Sequence, residues 1–553
     1  MQEPHYNKHH INNKVDKAAT LLKTCTSLSH LKQIHAYIFR SFLHQNNSLA
    51  STLVSLYTCF SLPHYTHFVF SSVSTPTLSL FNRTIRAYSK TPLFCINALY
   101  LYVQMVQNQI KPDNFTYPFA INACATLGML KQGIEVHGRV VRTGFVSYLP
   151  VSNALIDMYG KCGLLDCSYR VFDEMSQRDV VSYNALLGAH ARIGEDMRRA
   201  ETVFSGMPVR NVISWNTMIV GYGNAKDMDS ARGIFDKMPE KNAVSWVTML
   251  VGYMKNGFID LARVIFDSMP ERNLISWTAM ITGYAQNGRP NEALSLFRRM
   301  ETERMRPDAF TMTSVISASG QLGSSELAHW VESYVDREGI ERNVIVLTAL
   351  LGMQAKCGNI EEAYRLFEEI PRPDVCSYSA IITGLASHGH GLKALNVFQR
   401  MRDEGVEPDY ITFVGVLTAC SHAGLVEDGL RFWESMVKDY KIEPGADHYA
   451  CLVDMLGRAG KLDEAHEMVK AMPMGPNAGA LGSLLAACKT YGNVEMGENV
   501  CKQLIKLEPK NTGNYVLLSN LYASRERWDE AKHVREAMKN KRIDKLHGCS
   551  WID

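Results

Sequence analysis

The sequence predicts an all-α fold, a right-handed superhelical α-solenoid of stacked helix-turn-helix repeats. Three observations lead there. The chain is self-similar at a short period: residues 212–242 and 243–273 share seventeen of 31 positions without a gap. Each copy carries two apolar stripes at helical spacing, closed off by Gly or Pro. And no apolar run of about 18 residues occurs, so no membrane span is expected.

From the amino end, residues 1–14 read as a leader and as part of an organelle-targeting segment. Residues 1–112 carry ten Lys/Arg against two acids, Glu3 and Asp16, and are rich in Ser, Thr and His. The competing reading is a solvated basic end with an imperfect repeat behind it. Residues 15–77 hold two degenerate repeats, at about 15–46 and 47–77. Twelve repeats follow over 78–477, at 78–113, 114–148, 149–179, 180–211, 212–242, 243–273, 274–308, 309–343, 344–374, 375–409, 410–445 and 446–477. Residues 478–545 form an extension of two repeat-like hairpins, and 546–553 a terminal tail.

Within 212–242, Trp215, Met218, Ile219 and Tyr222 fall on one helical face. After a polar turn, Ala231, Ile234, Phe235 and Met238 repeat the spacing, and Pro239 stops the second helix. Many copies place Gly in the turn (Gly257, Gly288, Gly358, Gly460), where a left-handed conformation costs least. A lone pair of such helices cannot bury its stripe, so neighbours must stack. The Trp, Met and Phe residues are therefore read as core.

Composition excludes several function classes. With 46% apolar residues the chain is not disordered, and a net charge of +2 is too small for a polycation that holds nucleic acid by charge alone. Thirteen cysteines include no C-x-x-C pair, which argues against a disulfide scaffold or cysteine-rich zinc site and for a reducing compartment. No phosphate-binding loop of the G-x-x-x-x-G-K-[ST] type occurs, and His466-Glu467 lacks a second ligand pair. Cys162 and Cys167 flank a turn and read as packing residues. No cofactor and no catalysis are expected.

Segments such as VVSYNALLGAH, ISWTAMITGYAQNGRPNEALSLFRRM and VLTALLGMQAKCGNIEEAYRLFEEIPRPD resemble pentatricopeptide repeats. Alternation of copies of 31 and 35–36 residues resembles the plant PLS class. HYACLVDMLGRAGKLDEAHEMV, with the hairpins after it, resembles the E extension, and HGCSWID the end of that extension. Leu481 stands where the first extension motif usually has Trp. Related longer proteins add a zinc deaminase with H-x-E and C-x-x-C motifs; this chain reads as the E subgroup, without that DYW domain.

The resemblance implies that the fifth and last residues of each repeat together read one RNA base. These pairs are Asn82/Asp113 and Asn153/Asp179 (U), Asn184/Asn211 and Asn216/Asn242 (C, with U tolerated), Thr278/Asp308 (G), Thr313/Asn343 (A), and Thr348/Asp374 and Ser379/Asp409 (G). The chemistry is reasonable: Asn suits the smaller pyrimidine, while Thr or Ser leaves room for a purine. A terminal Asp accepts from the N–H edges of G or U, whereas Asn can also donate to A or C. Helix capping is the competing explanation of the last column. Pro118, Val247, Val414 and Ala450 give no base. Second residues Val181, Ile213, Val244, Ile275, Phe310 and Ile345 resemble the wedges that sandwich bases. Thirteenth residues Lys90, Lys161, Arg192, Lys255, Lys356 and Arg458 are placed for phosphate contacts, with solvated surface charge as the alternative.

The function this implies is site recognition on single-stranded organellar RNA for C-to-U editing. A DYW-type deaminase or other editing factor would be recruited in trans through residues 478–553. The mitochondrion is the expected compartment, the chloroplast the alternative. Rival readings are an organellar intron-splicing or transcript-stability factor and, in another class, a tetratricopeptide-like protein scaffold. The scaffold would have a uniform period of about 34 residues and no reason for the paired columns.

Overall fold

The computed structural model describes residues 4–60, 62–194, 196–509 and 511–540. Among them are thirty-two α-helices, two short 3₁₀ turns and no strand, so the chain is all-α and its helices fall into successive pairs. By contacts it divides into two units, Met1–Ser276 and Trp277–Asp553. Each is a stack of helical hairpins in which the first helix of a pair packs on its own partner and on the first helix of the next pair. No helix of the described residues is long and apolar enough to cross a membrane.

The predicted stripes are the core. Met218, Ile219, Tyr222, Ala231, Phe235 and Met238 are buried, with Trp215 and Ile234 half-buried at the edge. Burying each large apolar side chain is worth about 1.5–3 kcal/mol. The fourth residue of a repeat locks it to the one before. Tyr183, Trp215 and Trp246 each set an edge against Phe172, Phe204 and Phe235, with ring centres 5.0, 4.9 and 5.0 Å apart. A basic residue next to the end of the repeat closes the same joint. Arg178, Arg210 and Arg272 lie over Phe172, Phe204 and Phe266 and donate to the carbonyls that end the second helix. Cations are favoured at that helix end.

Two kinds of glycine have a physical role. The turn glycines Gly257, Gly288, Gly358 and Gly460 hold φ of +77°, +67°, +87° and +78°, the left-handed region expected. Gly160 instead permits close approach of the helices Leu149–Lys161 and Val180–Ile193, since a Cβ there would lie 3.0 Å from the Ala189 Cα.

The first helix begins at Pro4, so most of the segment 1–14 expected to be a leader continues into the helix Pro4–Lys23. The degenerate region 15–77 completes two hairpins, ending in the helices Leu28–Arg40, Asn47–Cys59 and Pro63–Ser71. Residues 478–540 form two more pairs: Ala478–Tyr491 with Val494–Leu507, and Thr512–Ala523 with Trp528–Asn540. Leu481, at the usual Trp position, is fully buried. Residues 541–545 of the expected extension and the tail 546–553 lie outside the described residues.

Candidate nucleic-acid interface

The register of the repeats decides what each polar column does. Most copies begin at the first residue of a helix, for example Val180, Val212, Ala243, Ala309, Val344 and Val375. The last residue of one copy is therefore the N-cap of the next. Its Oδ1 accepts the N–H three residues on, a bond that satisfies one orphan donor of the helix end. Asp179 takes that of Ser182 at 2.8 Å, and Asn211 and Asn242 those of Ser214 and Ser245 at 3.0 Å. In the second unit Asp308, Asn343, Asp374 and Asp409 take those of Thr311, Val346, Ser377 and Thr412 at 2.8, 3.0, 2.9 and 2.8 Å. Capping and base reading are thus not alternatives at these positions. The cap engages Oδ1 and so orients the group, leaving each Asp with Oδ2 as an acceptor and each Asn with Nδ2 as a donor.

Copy 114–148 differs because its first helix starts at Thr116. Asp113 bridges the gap, accepting from Phe115 and Thr116 N–H at 3.0 and 2.9 Å.

The fifth residue lies inside the first helix, one turn from its start. In three of the four copies where it is Asn, its Nδ2 donates to the cap residue. Asn82 reaches Asp113 at 3.0 Å, Asn184 reaches Asn211 at 3.2 Å and Asn153 reaches Asp179 at 3.5 Å. Asn216 makes no such bond to Asn242 among the hydrogen bonds of the described residues. The amide oxygen of Asn82 accepts from the Thr116 hydroxyl at 2.6 Å, whereas those of Asn153, Asn184 and Asn216 are buried without a partner. Burial alone would raise the Asp179 pKa, but the Ser182 N–H and hydroxyl and the Asn153 amide outweigh it and hold the carboxyl below its usual range.

Hydroxyl residues pair differently. Thr278 shares a hydrogen with Thr311, and Thr348 with Ser377, both at 2.7 Å, so each joins the cap through the third residue of the next helix. Ser379 bonds both Asp409 at 3.2 Å and Thr412 at 2.7 Å. Thr313 turns to its own helix, donating to the Ala309 carbonyl at 2.7 Å.

The second-residue column is the least expected from burial alone. Val181, Ile213, Val244, Ile275, Phe310 and Ile345 are 54–69% exposed, although each sits in a helix whose other large apolar side chains are mostly buried. Two more residues belong with them: Phe115 (62% exposed) and Ile411 (57%). They are the second residues of copies 114–148 and 410–445, so the repeat register alone would have found them. Their copies carry Pro118 and Val414 in the fifth place.

Three grooves collect the columns. One of about 790 Å³ brings together Asn82, Asp113, Phe115 and Lys90. Another of about 400 Å³ holds Val244, Val247, Ile275, Asn273 and Lys255. In the second unit a groove of about 410 Å³ holds Ile345, Thr348, Asp374 and Lys356, with Thr313 beside them. Lys90, Lys255 and Lys356 are exposed on these grooves. The other three basic residues are paired: Lys161 and Arg192 share Asp157 at 2.7 and 3.6 Å, and Arg458 meets Asp454 at 2.8 Å. Their net attraction for a phosphate is correspondingly reduced.

The unused sequence candidates have plain structural roles. Glu467 is exposed and bonds Lys470 at 2.8 Å, and Cys162 and Cys167 are half-buried. Among the described residues, no three His, Cys, Asp or Glu side chains stand where they could hold a metal ion.

Comparison with known proteins adds four descriptions that match parts of the chain. They are the PPR repeat (151–180, 213–242, 244–274, 411–440, 447–474), the PPR repeat family (272–320, 373–422), the pentatricopeptide repeat domain (331–383) and the E motif (491–553). A putative pentatricopeptide repeat-containing protein of Arabidopsis thaliana is 43% identical over 96% of this chain and 97% of its own length. A second from the same plant is 41% identical over 96% and 89%, and a third, described as chloroplastic, is 36% identical over 97% and 78%. Among solved structures, the maize pentatricopeptide repeat protein PPR10 aligns over 94% of this chain and 85% of its own, with 19% identity and a TM-score of 0.51. The same protein in complex with an 18-nucleotide psaJ RNA element aligns over 96% and 87%, with 17% identity and a TM-score of 0.54.

Proposed function

Because the chain belongs to the pentatricopeptide repeat proteins, we propose that it reads single-stranded RNA one base per repeat and marks a site for C-to-U editing. One observation carries the reading: in each groove an exposed apolar side chain stands beside a cap residue whose free edge is a single donor or acceptor. An unpaired base fits that arrangement, with a face to cover and an edge to pair. The ligand class is supported by the RNA bound to maize PPR10.

From the amino end, the columns read U at 78–113, U at 149–179, C at 180–211 and 212–242, then G, A, G, G over 274–409. The repeats with Pro118 and Val247 leave gaps. Lys90, Lys255 and Lys356 hold the backbone, a contact that positions the strand without reading it. The chain supplies specificity, and a DYW-type deaminase recruited through 478–553 supplies the chemistry. The mitochondrion is the proposed compartment and the chloroplast the alternative, the latter supported by the description of one relative.

Sequencing organellar transcripts from plants lacking the protein tests this. One lost C-to-U site beside a matching motif is the expected result, and an unspliced intron with all sites edited would replace editing by splicing. Deleting the extension is a poor probe of recruitment. The helix Ala478–Tyr491 packs on Ala446–Arg458, and the Tyr491 hydroxyl donates to the Arg458 carbonyl at 2.7 Å. Trp528→Glu alters an exposed residue of the E motif instead. It should spare RNA affinity and abolish editing in complemented plants; full editing would remove the extension from recruitment.

A further inference from the structure

We propose that a second site, between the helices Leu28–Arg40, Asn47–Cys59 and Pro63–Ser71, binds an unpaired base and its phosphate from a single RNA strand. Most of its lining comes from the second helices of the first two hairpins, with Tyr57 alone from a first helix, whereas the reading columns stand on first helices. The ligand class rests on the RNA-binding reading above; the site itself is independent of the columns.

The pocket has a volume of about 650 Å³, in the range of sites for nucleotide-sized ligands. Its walls are rings. Tyr57 and Tyr65 stack at 5.0 Å with planes 11° apart, and Phe39 and Phe68 stack at 6.0 Å and 28°. Phe39 and Phe68 remain 43% and 53% exposed, so each still has surface to cover. The floor is held in place: a hydrogen bond of 2.9 Å joins the Tyr57 hydroxyl to His35 Nδ1, and His35 sets an edge against Phe68. Burial lowers the His35 pKa, which keeps that floor uncharged at neutral pH.

Charge selects among planar or apolar ligands. Lys32 lies 5.2 Å over the Tyr65 ring and Arg40 joins it in the lining, so an aromatic-bound cation is disfavoured. No Asp or Glu occurs from Lys17 to Pro112, so the sequence around the pocket offers no carboxylate to neutralise those cations. An anion with a flat ring answers both features: the base stacks on the exposed phenyl rings of Phe39 and Phe68, and the phosphate meets Lys32 and Arg40. Such stacking accepts any base, so the site adds affinity without sequence preference.

Photocrosslinking tests this on the full chain. Thiouridine is placed in an unpaired flank added at either end of an RNA matching the repeat columns, and adducts are mapped by mass spectrometry. Adducts within residues 32–40 or 64–68, on the pocket's own walls, are expected. Phe68→Ala, an exposed position, should remove them together with the affinity that the flank adds, roughly fivefold to a hundredfold for one base on one ring. Lys32→Glu should weaken the flank's contribution too, and an abasic flank, which keeps only the phosphate, should add clearly less than the intact one. Adducts elsewhere, or an equal gain from the abasic flank, would overturn the proposal. Adducts with thiouridine monophosphate but not with RNA would assign the pocket to a free nucleotide and also overturn it. So would binding of phosphatidylglycerol vesicles, in place of the flank, that Phe68→Ala abolishes. If the columns show no base discrimination while the pocket adduct persists, the groove reading fails and the pocket stands.

Discussion

Replacing Asp374 by Asn exchanges one atom on the reading edge and nothing in the fold. Asp374 Oδ1 accepts from Ser377 N–H and hydroxyl at 2.9 and 2.8 Å, and Asn caps a helix as well as Asp. The amide oxygen will take over those bonds, which turns Nδ2 to where the carboxylate Oδ2 stood. The groove lined by Ile345, Thr348 and Lys356 then meets the base with a donor in place of an acceptor. Guanine, which presents N–H, loses its partner, and adenine, which presents a ring acceptor, gains one. A good base contact discriminates by about 1–3 kcal/mol. Because one contact is lost and another gained, the G-over-A ratio should shift by at least about 2 kcal/mol, roughly thirtyfold. Neighbouring Thr313/Asn343 already has the mutant's combination. The assay is the affinity of wild type and variant for four RNAs differing at that base, at one salt concentration. Loss of a charge at a helix start costs about 0.3–1 kcal/mol, so the melting curve should barely move. Identical base ratios in the two proteins would refute the reasoning and leave Asp374 a cap only.

Thr278→Asn fills the purine space while Asp308 keeps its acceptor, so preference at that base should move from G to U by roughly tenfold or more in the same assay. Both residues have similar propensity inside a helix, so thermal stability should hold. Phe115→Ala and Ile411→Ala remove exposed side chains, and each should weaken RNA binding by roughly fivefold for all bases without lowering the melting temperature. As pH falls below about 4 the stabilisation supplied by the Asp179 cap begins to decline. Its carboxyl is held below the usual range in the folded chain, so its stabilisation is complete above the unfolded pKa and is lost as pH falls through the folded value. Asp179→Asn should therefore flatten the acid limb of a melting-temperature curve between pH 2 and 5.

Helix positions were largely legible because Asp or Asn before an apolar residue marks the start of most hairpins, and Pro after Met the end of several. The columns followed from that register, since a two-residue offset such as the Thr116 start is rare. What the letters could not show is which oxygen of a side chain is engaged. Asp179 reads as cap or reader until Ser182 is seen on Oδ1. Nor could they show that Lys161 and Arg192 converge on Asp157 from consecutive repeats. The pocket of Phe39, Tyr65 and Phe68 was hidden for another reason: the first two repeats have drifted from the pattern, and its walls come from helices about two dozen residues apart.

The dual duty of the cap residue has a consequence for how such a protein acquires new targets. At most of those places the fold favours a short side chain with an oxygen, and Asp and Asn serve about equally. A single change between them is then nearly silent for folding while it exchanges the amino for the keto class of base. Specificity can therefore drift along a path of equally stable chains, one repeat at a time, because the atom that holds the helix is not the atom that faces the base. Architecture restricts the alphabet of the column to a few letters, and that restriction is what makes the column usable as a code.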